Sequence, residues 1–265
     1  MRFVLLNLLL ILQLGAVSPL GAREKPKKPE RPGPGTVVDA GTFTILVGGR
    51  RVGSETFSIR QSDQGSVASS EIRIEEPSGV ARQTSELRLG PGGELRRYEW
   101  RELLPEKAEI VVEPKDEFLL ERITEKDKRL EQPFLMPSSS SVLDDFFFSQ
   151  REILLWRYLA TVCKPVSGQL RCASQKTQFG AIVPRQRASS MVSVQFMGRD
   201  QLTLHGQSVE LSHFRLTDTD DWDLWMDAGQ KVVRILIPSL QTEVLREPDA
   251  SHGKHTAPEP PKPAQ

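Results

Sequence analysis

Residues 42–60 read TFTILVGGRRVGSETFSIR, and their alternation decides the fold. Phe43, Ile45 and Val47 alternate with Thr42, Thr44 and Leu46, the period-two pattern of a strand with one packed and one wetter face. Gly48-Gly49-Arg50-Arg51 follows, where glycine supplies the positive φ of a tight hairpin. Phe57 and Ile59 then share one face of the return strand. The signal repeats outward in Ile72 with Ile74, Leu87 with Leu89, Tyr98 with Trp100, Ile110 with Val112, and Phe118 with Leu120. Gly90-Pro91-Gly92-Gly93 and Glu113-Pro114-Lys115-Asp116 punctuate it as turns. Evenly spaced strands and turns predict an antiparallel meander.

The pattern changes once, between Ser138 and Cys163. Leu143, Phe147, Leu154 and Tyr158 fall near one helical stripe, which Phe146, Ile153 and Trp156 broaden. Ser141 is the expected cap, and Asp144 and Asp145 sit in the first turn, where the helix dipole favours negative charge. A helix of about 18 residues is about 27 Å long, enough to cross a sheet. The run Phe146 to Phe148 predicts a deeply buried start. Strand signals then resume, from Val192, Val194 and Phe196 through Trp222 to Met226, Lys231 to Ile237, and Ser239 to Leu245. No fixed-period repeat is present, and the strand sets flanking the helix are compatible with two halves of one sheet.

The ends differ from the middle. Arg2, an apolar run from Phe3 to Leu14, and the small residues near Ala22 form a secretory signal peptide over residues 1–22. Its apolar run is too short to span a bilayer, which takes about 20 residues, so no transmembrane segment is expected. Cleavage is possible after Ser18 or after Ala22, and Pro19 disfavours the former. Neither site precedes a cysteine, which excludes a Cys-anchored lipoprotein. Residues 23–36 form a basic, Pro-rich linker and residues 248–265 a disordered, Pro-rich tail, since neither can bury enough apolar surface to offset ordering entropy. A single β-rich domain is left over residues 37–247. The chain carries 35 basic and 35 acidic side chains, a balance without the electrostatic footprint of a nucleic-acid binder. Its two cysteines, Cys163 and Cys172, are expected to form one disulfide in an exported chain, periplasmic or extracellular.

Several short motifs carry a resemblance. Arg51-Val52-Gly53-Ser54-Glu55, Phe196-Met197-Gly198-Arg199-Asp200, His205-Gly206, Phe214-Arg215-Leu216, Asp223-Leu224-Trp225-Met226-Asp227 and Val233 to Pro238 together resemble an uncharacterised family of exported bacterial proteins. The resemblance implies a strongly curved antiparallel sheet with a helix against it, similar to the half-barrel of periplasmic lipoprotein carriers. It brings no established activity and no catalytic residues. This chain departs from it in a charged insertion from Glu121 to Gln132 and in its cysteine pair. The fold expected is mainly β: a strongly curved antiparallel sheet or open half-barrel with one packed helix.

No enzyme signature is present: there is no G-x-S-x-G, no H-E-x-x-H and no Gly-rich phosphate loop. His205 sits beside a turn, His213 on a strand, and His252 and His255 in the tail. The acidic residues Asp218, Asp220, Asp221, Asp223 and Asp227 lack the glycine and closing glutamate of a calcium loop, so neither a metal nor another cofactor is expected. The aromatic pairs Tyr98 with Trp100, Trp156 with Tyr158, and Trp222 with Trp225, together with Arg234 on a strand apolar on both faces, are the candidate ligand-binding residues. The plainer alternative is that they fill the space between sheet and helix, with Arg234 in a structural ion pair. The function expected is a non-enzymatic envelope protein binding a lipid or other apolar ligand, with a protein-interaction or assembly module as the alternative.

Overall fold

The computed structural model describes residues 35–248, apart from 77–78, 127 and 167–168. The signal peptide, nearly all of the basic linker and all but the first residue of the tail therefore lie outside the described residues. The first half is a meander of β1 (Thr36–Val47), β2 (Arg50–Ser62), β3 (Gly65–Glu76), β4 (Gly79–Leu89), β5 (Leu95–Leu104), β6 (Ala108–Lys115), β7 (Phe118–Glu125) and β8 (Lys128–Phe134). A short β9 (Ser141–Val142) and the helix α1 (Ser149–Val162) follow, then a hairpin of β10 (Cys163–Val166) and β11 (Gln169–Cys172). The second half comprises β12 (Thr177–Val183), β13 (Ala188–Leu204), β14 (Gln207–Thr217), β15 (Asp221–Met226), β16 (Val232–Ile237) and β17 (Thr242–Arg246).

The two halves form one sheet because β17 pairs antiparallel with β1, from Phe43 opposite Arg246 to Val47 opposite Thr242. The resulting 15-stranded order places β8 at one edge and β9 at the other, so the sheet curves without closing into a barrel. Among the described residues only the β9–β12 pair is parallel. Bulges at Val37/Asp39, Ile45/Leu46, Arg82/Gln83, Arg88/Leu89, Phe196/Gly198 and Trp225/Met226 interrupt the ladder. Each bends its strand and increases the local twist, which is how a long sheet coils. Gly198 serves this directly, with φ at +130°, where a side chain would be strained.

Two turns share a construction. β12 runs into Pro184 and a 3-10 turn ended by Arg187 at φ +52°, and β16 runs into Pro238 and a 3-10 turn ended by Gln241 at φ +48°. Proline suits the first position of such a turn because it has no N–H to satisfy and its φ is preset.

Helix α1 lies against the concave face. Its Leu154, Leu155, Tyr158 and Leu159 join Phe43, Phe57, Tyr98, Phe214 and Ile235 in one apolar core built from both halves. Ser149, Gln150, Arg151 and Glu152 are all buried, so the first turn is enclosed on every side. The helix is shorter than its sequence predicts. Ser141 pairs in β9 instead of capping, and Phe146 takes φ +62°, which stops helical geometry from extending back through Asp144 and Asp145. Phe147 and Phe148 are buried as predicted, but Phe146 is 43% exposed.

The charged stretch from Glu121 to Gln132 is not an appended insertion. It completes β7 and supplies most of β8. Glu121 lies opposite Val112, which lies opposite Tyr98, so its side chain is on the packed face together with Leu119 and Ile123. Phe118 and Leu120, whose alternation marks this strand in the sequence, have the other parity, with Leu120 buried and Phe118 half-buried.

Cys163 and Cys172 are disulfide-bonded across the β10–β11 hairpin. Thiol labelling of the unfolded, unreduced protein is expected to find no free thiol. Closing so short a loop limits the gain to about 3 kcal/mol, so reduction is expected to lower stability by no more than that. Two reactive thiols before reduction would contradict the bridge. Among the described residues no helix is long and apolar enough to cross a membrane.

Candidate functional site

Three polar anchors fix the helix and thereby shape the space beside it. The first is Glu55 on β2, fully buried at the start of α1. Its carboxylate accepts the Phe148 N–H at 2.7 Å, the Ser149 N–H at 3.2 Å and the Ser149 hydroxyl at 2.7 Å. A helix start has unsatisfied N–H groups and a positive dipole end, and a carboxylate from a neighbouring strand answers both. Burial raises the Glu55 pKa, while hydrogen bonds from Ser149, Ser70 and the backbone act against that rise.

The second anchor is Arg246 on β17. Its guanidinium donates to both oxygens of Asp39 at 2.6 Å, to Glu152 Oε2 at 3.1 Å and to the Val232 carbonyl at 3.1 Å. Lys231 adds a second cation 3.1 Å from Asp39. The Arg246 head lies over Phe43 and Phe57, which stack on each other. Burial opposes ionisation of Asp39, but hydrogen bonds from Glu152, Arg246 and Lys231 outweigh it and hold its pKa low. Burial, then the bond to Asp39, raises Glu152 well above the carboxylate range. The shifts of the two acids are opposite in direction, Asp39 down and Glu152 up. Glu152 Oε1 is buried and has no hydrogen-bond partner among the described residues.

The third anchor is Asp144, just before α1. It accepts the Tyr98 hydroxyl at 2.6 Å and Arg185 Nε at 3.0 Å. Arg185 comes from the turn after β12 and also reaches Gln83 on β4 at 3.0 Å, tying the second half to the first. Glu121 lies in the same interior, fully buried, and neither oxygen has a hydrogen-bond partner among the described residues. Burial pushes its pKa up to about 7, with the charge of Arg187 lowering it and that of Asp144 raising it.

Between these anchors the helix leaves open space on both flanks. One cleft, about 310 Å³, lies between α1 and the ends of β2, β3 and β4. Its walls are largely apolar: Leu87, Leu89, Val142, Ile153, Leu154 and Trp156. Ala160 and Arg157 stand on the helix side and the Gly90–Gly93 turn closes one end. A second cleft of about 310 Å³ lies against Phe196, Phe214 and Met226. Its charged groups are already engaged, Arg199 with Glu210 and Asp227 with the Lys231 N–H.

The seven predicted binding residues do not share one pocket. Tyr98 and Trp100 are buried on the concave face, where Trp100 Nε1 donates to Gln83 at 3.3 Å. Tyr158 is fully buried, donating to the Ala173 carbonyl at 3.2 Å and accepting the Phe196 N–H at 3.1 Å. Trp222 contacts Phe148 and lies under Arg151. Trp225 has the opposite parity and lies on the convex face between His213 and Arg234, with Nε1 bonded to Asp200 at 2.9 Å. Arg234 pairs with Glu243 at 2.8 Å. Of the seven only Trp156 lines the apolar cleft, held by its indole N–H to the Gln230 carbonyl at 2.6 Å.

His205, His213, Asp221 and Asp223 have defined partners. His213 meets Asp200 at 3.0 Å through Nδ1 and Asp223 at 2.9 Å through Nε2, so neither nitrogen is turned to a serine. His205 Nε2 bonds the Arg246 carbonyl. Asp223 is held by Arg215, and Asp221 accepts the Thr217 hydroxyl.

No protein-family profile matches the sequence, and no curated protein does. Among solved structures, the chain is similar to a β-barrel-like protein of a domain of unknown function, DUF1849, from Brucella abortus. The identity is 9% and the TM-score 0.48, covering 80% of this chain and 97% of that one. It is also similar to a DUF1089 family protein from Pseudomonas aeruginosa, with 12% identity, a TM-score of 0.43, and coverage of 70% and 90%. At these values neither likeness carries an activity, a ligand or a location.

Proposed function

We propose that this chain is a non-enzymatic, exported cell-envelope protein that binds an apolar ligand in the cleft between α1 and β2–β4. The supporting observation is that cleft. Its volume of about 310 Å³ is at the lower end of the range for small-ligand sites, and its wall combines Leu87, Leu89, Ile153, Leu154 and Trp156 with a few polar groups. Each ligand methylene taken from water contributes about 0.8 kcal/mol. The concave face itself is filled by α1 and its ionic anchors, so the ligand lies beside the helix and not in a hollow half-barrel. The anchored first turn stays in place while the less buried second half of α1 forms the cleft wall.

Native mass spectrometry of protein purified without detergent from its exporting host tests this. A reproducible extra mass, extractable by organic solvent and lost when Ala160→Trp fills the cleft, is expected. Bare polypeptide in both forms would count against a carried ligand. It would favour an interaction module instead, a reading supported by the exposed Leu130 on the edge strand β8 and Leu135 just after it.

A further inference from the structure

We infer that the ligand of this cleft is an anionic single-chain amphiphile whose carboxylate or phosphate head pairs with Arg157. The inference rests on the cleft being the binding site, as proposed above, and adds the chemistry of the head group.

Arg157 belongs to the cleft wall and is half-buried on the flank of α1. Its guanidinium donates to the Ser139 carbonyl and to the Ser141 hydroxyl, and it lies over the Phe179 ring at 5.4 Å. No carboxylate comes within 4.0 Å of it among the described residues, in contrast to Arg97, Arg101, Arg122, Arg185 and Arg246, each of which has an acid partner. Burial alone lowers the Arg157 pKa, with no acidic neighbour acting against it.

A guanidinium remains charged in proteins and presents five donors in a planar fork. Here the carbonyl, the hydroxyl and the ring fix the fork without neutralising it. Partial burial strengthens any charge it meets, since the local dielectric is lower than that of water. Leu87, Leu89, Ile153 and Trp156 make much of the rest of the wall apolar, and its other polar side chains, Gln61, Ser66, Ser140, Ser141 and Gln150, are uncharged. A cation at one side of an apolar cleft is complementary to an anion carrying a hydrocarbon chain. Carboxylate and phosphate both match the fork in bidentate geometry.

The test compares dodecanoate, dodecyl phosphate and dodecanol, each displacing the neutral fluorophore N-phenyl-1-naphthylamine from the full chain. A hydrogen bond to a charged group is worth about 1.5–3 kcal/mol, so at least one anion is expected to bind roughly tenfold or more tighter than the alcohol. Arg157→Gln is expected to bring the anion-to-alcohol affinity ratio close to one, while Arg157→Lys keeps part of the preference, the ratio within each variant being the readout. Tighter binding of the phosphate than of the carboxylate, or the reverse, identifies the head group. If the alcohol binds as tightly as both anions and Arg157→Gln changes nothing, the head-group inference is overturned and the cleft stands. If none of the three displaces the fluorophore, the cleft and the inference both fall.

Discussion

Replacing Arg246 with alanine is expected to cost about 3–5 kcal/mol of unfolding free energy, the range for breaking a buried ion pair from one side. The reason is positional. Arg246 is the point where β17 meets β1 and where α1 is held to both, through Asp39, Glu152 and the Val232 carbonyl. Removing it leaves Asp39 buried with only Lys231 for a counter-charge. The double variant Asp39→Asn with Arg246→Met is expected to recover roughly half or more of the loss, because the buried Asp39 charge is removed together with its partner and Lys231 is partly exposed to solvent. Equilibrium urea unfolding measures both. A loss under about 1 kcal/mol for Arg246→Ala would show that the seam between the halves does not depend on this residue.

Glu121→Gln is expected to flatten the pH dependence of stability and to stabilise the protein above neutral pH. Glu121 is fully buried without a partner, and its pKa is pushed up to about 7. An unfolded glutamate titrates near 4.3, so the folded state holds the proton more tightly. The fold is therefore favoured in acid. It loses up to about 4 kcal/mol through this group as pH rises from about 4.5 to above 7. Glutamine preserves the shape of the neutral acid at every pH. Glu55 and Glu152 shift in the same direction and Asp39 in the opposite one, so the informative quantity is wild type minus variant. Parallel stability curves from pH 5 to 9 for the two proteins would rule out a buried, titrating Glu121.

Strand parity made most of the sheet legible. Phe43 with Ile45, Phe57 with Ile59, and Tyr98 with Trp100 all face the core as their alternation predicts. The same parity marks the anchors, though only by the residue that breaks it. Glu55 is in step with Phe57 and Ile59, Glu121 with Leu119 and Ile123, and Arg246 with Val244. A charged residue in register with a packed face is the signal that a buried polar network exists. Charge alone suggests a solvated stretch, and Glu121 is buried within a charged one.

The cleft could not be read this way. Its wall joins Leu87 and Leu89 on β4, Val142 on β9, and Ile153 to Arg157 on α1, segments brought together only by the curvature of the sheet. Trp156 was found because it is aromatic, while Arg157 next to it carried no pattern. The pairs Trp156 with Tyr158 and Trp222 with Trp225 were separated for simple geometric reasons. Neighbours at i and i+2 on a helix do not face each other, and residues three apart on a strand fall on opposite faces.

Photo-crosslinking with a dodecanoate carrying a diazirine near its chain end, mapped by peptide mass spectrometry, tests the account most directly. It predicts adducts concentrated in residues 87–93 and 153–160, suppressed by excess unlabelled dodecanoate and by Ala160→Trp. Adducts spread over the convex face, or labelling that competitor does not reduce, would contradict the cleft as the binding site.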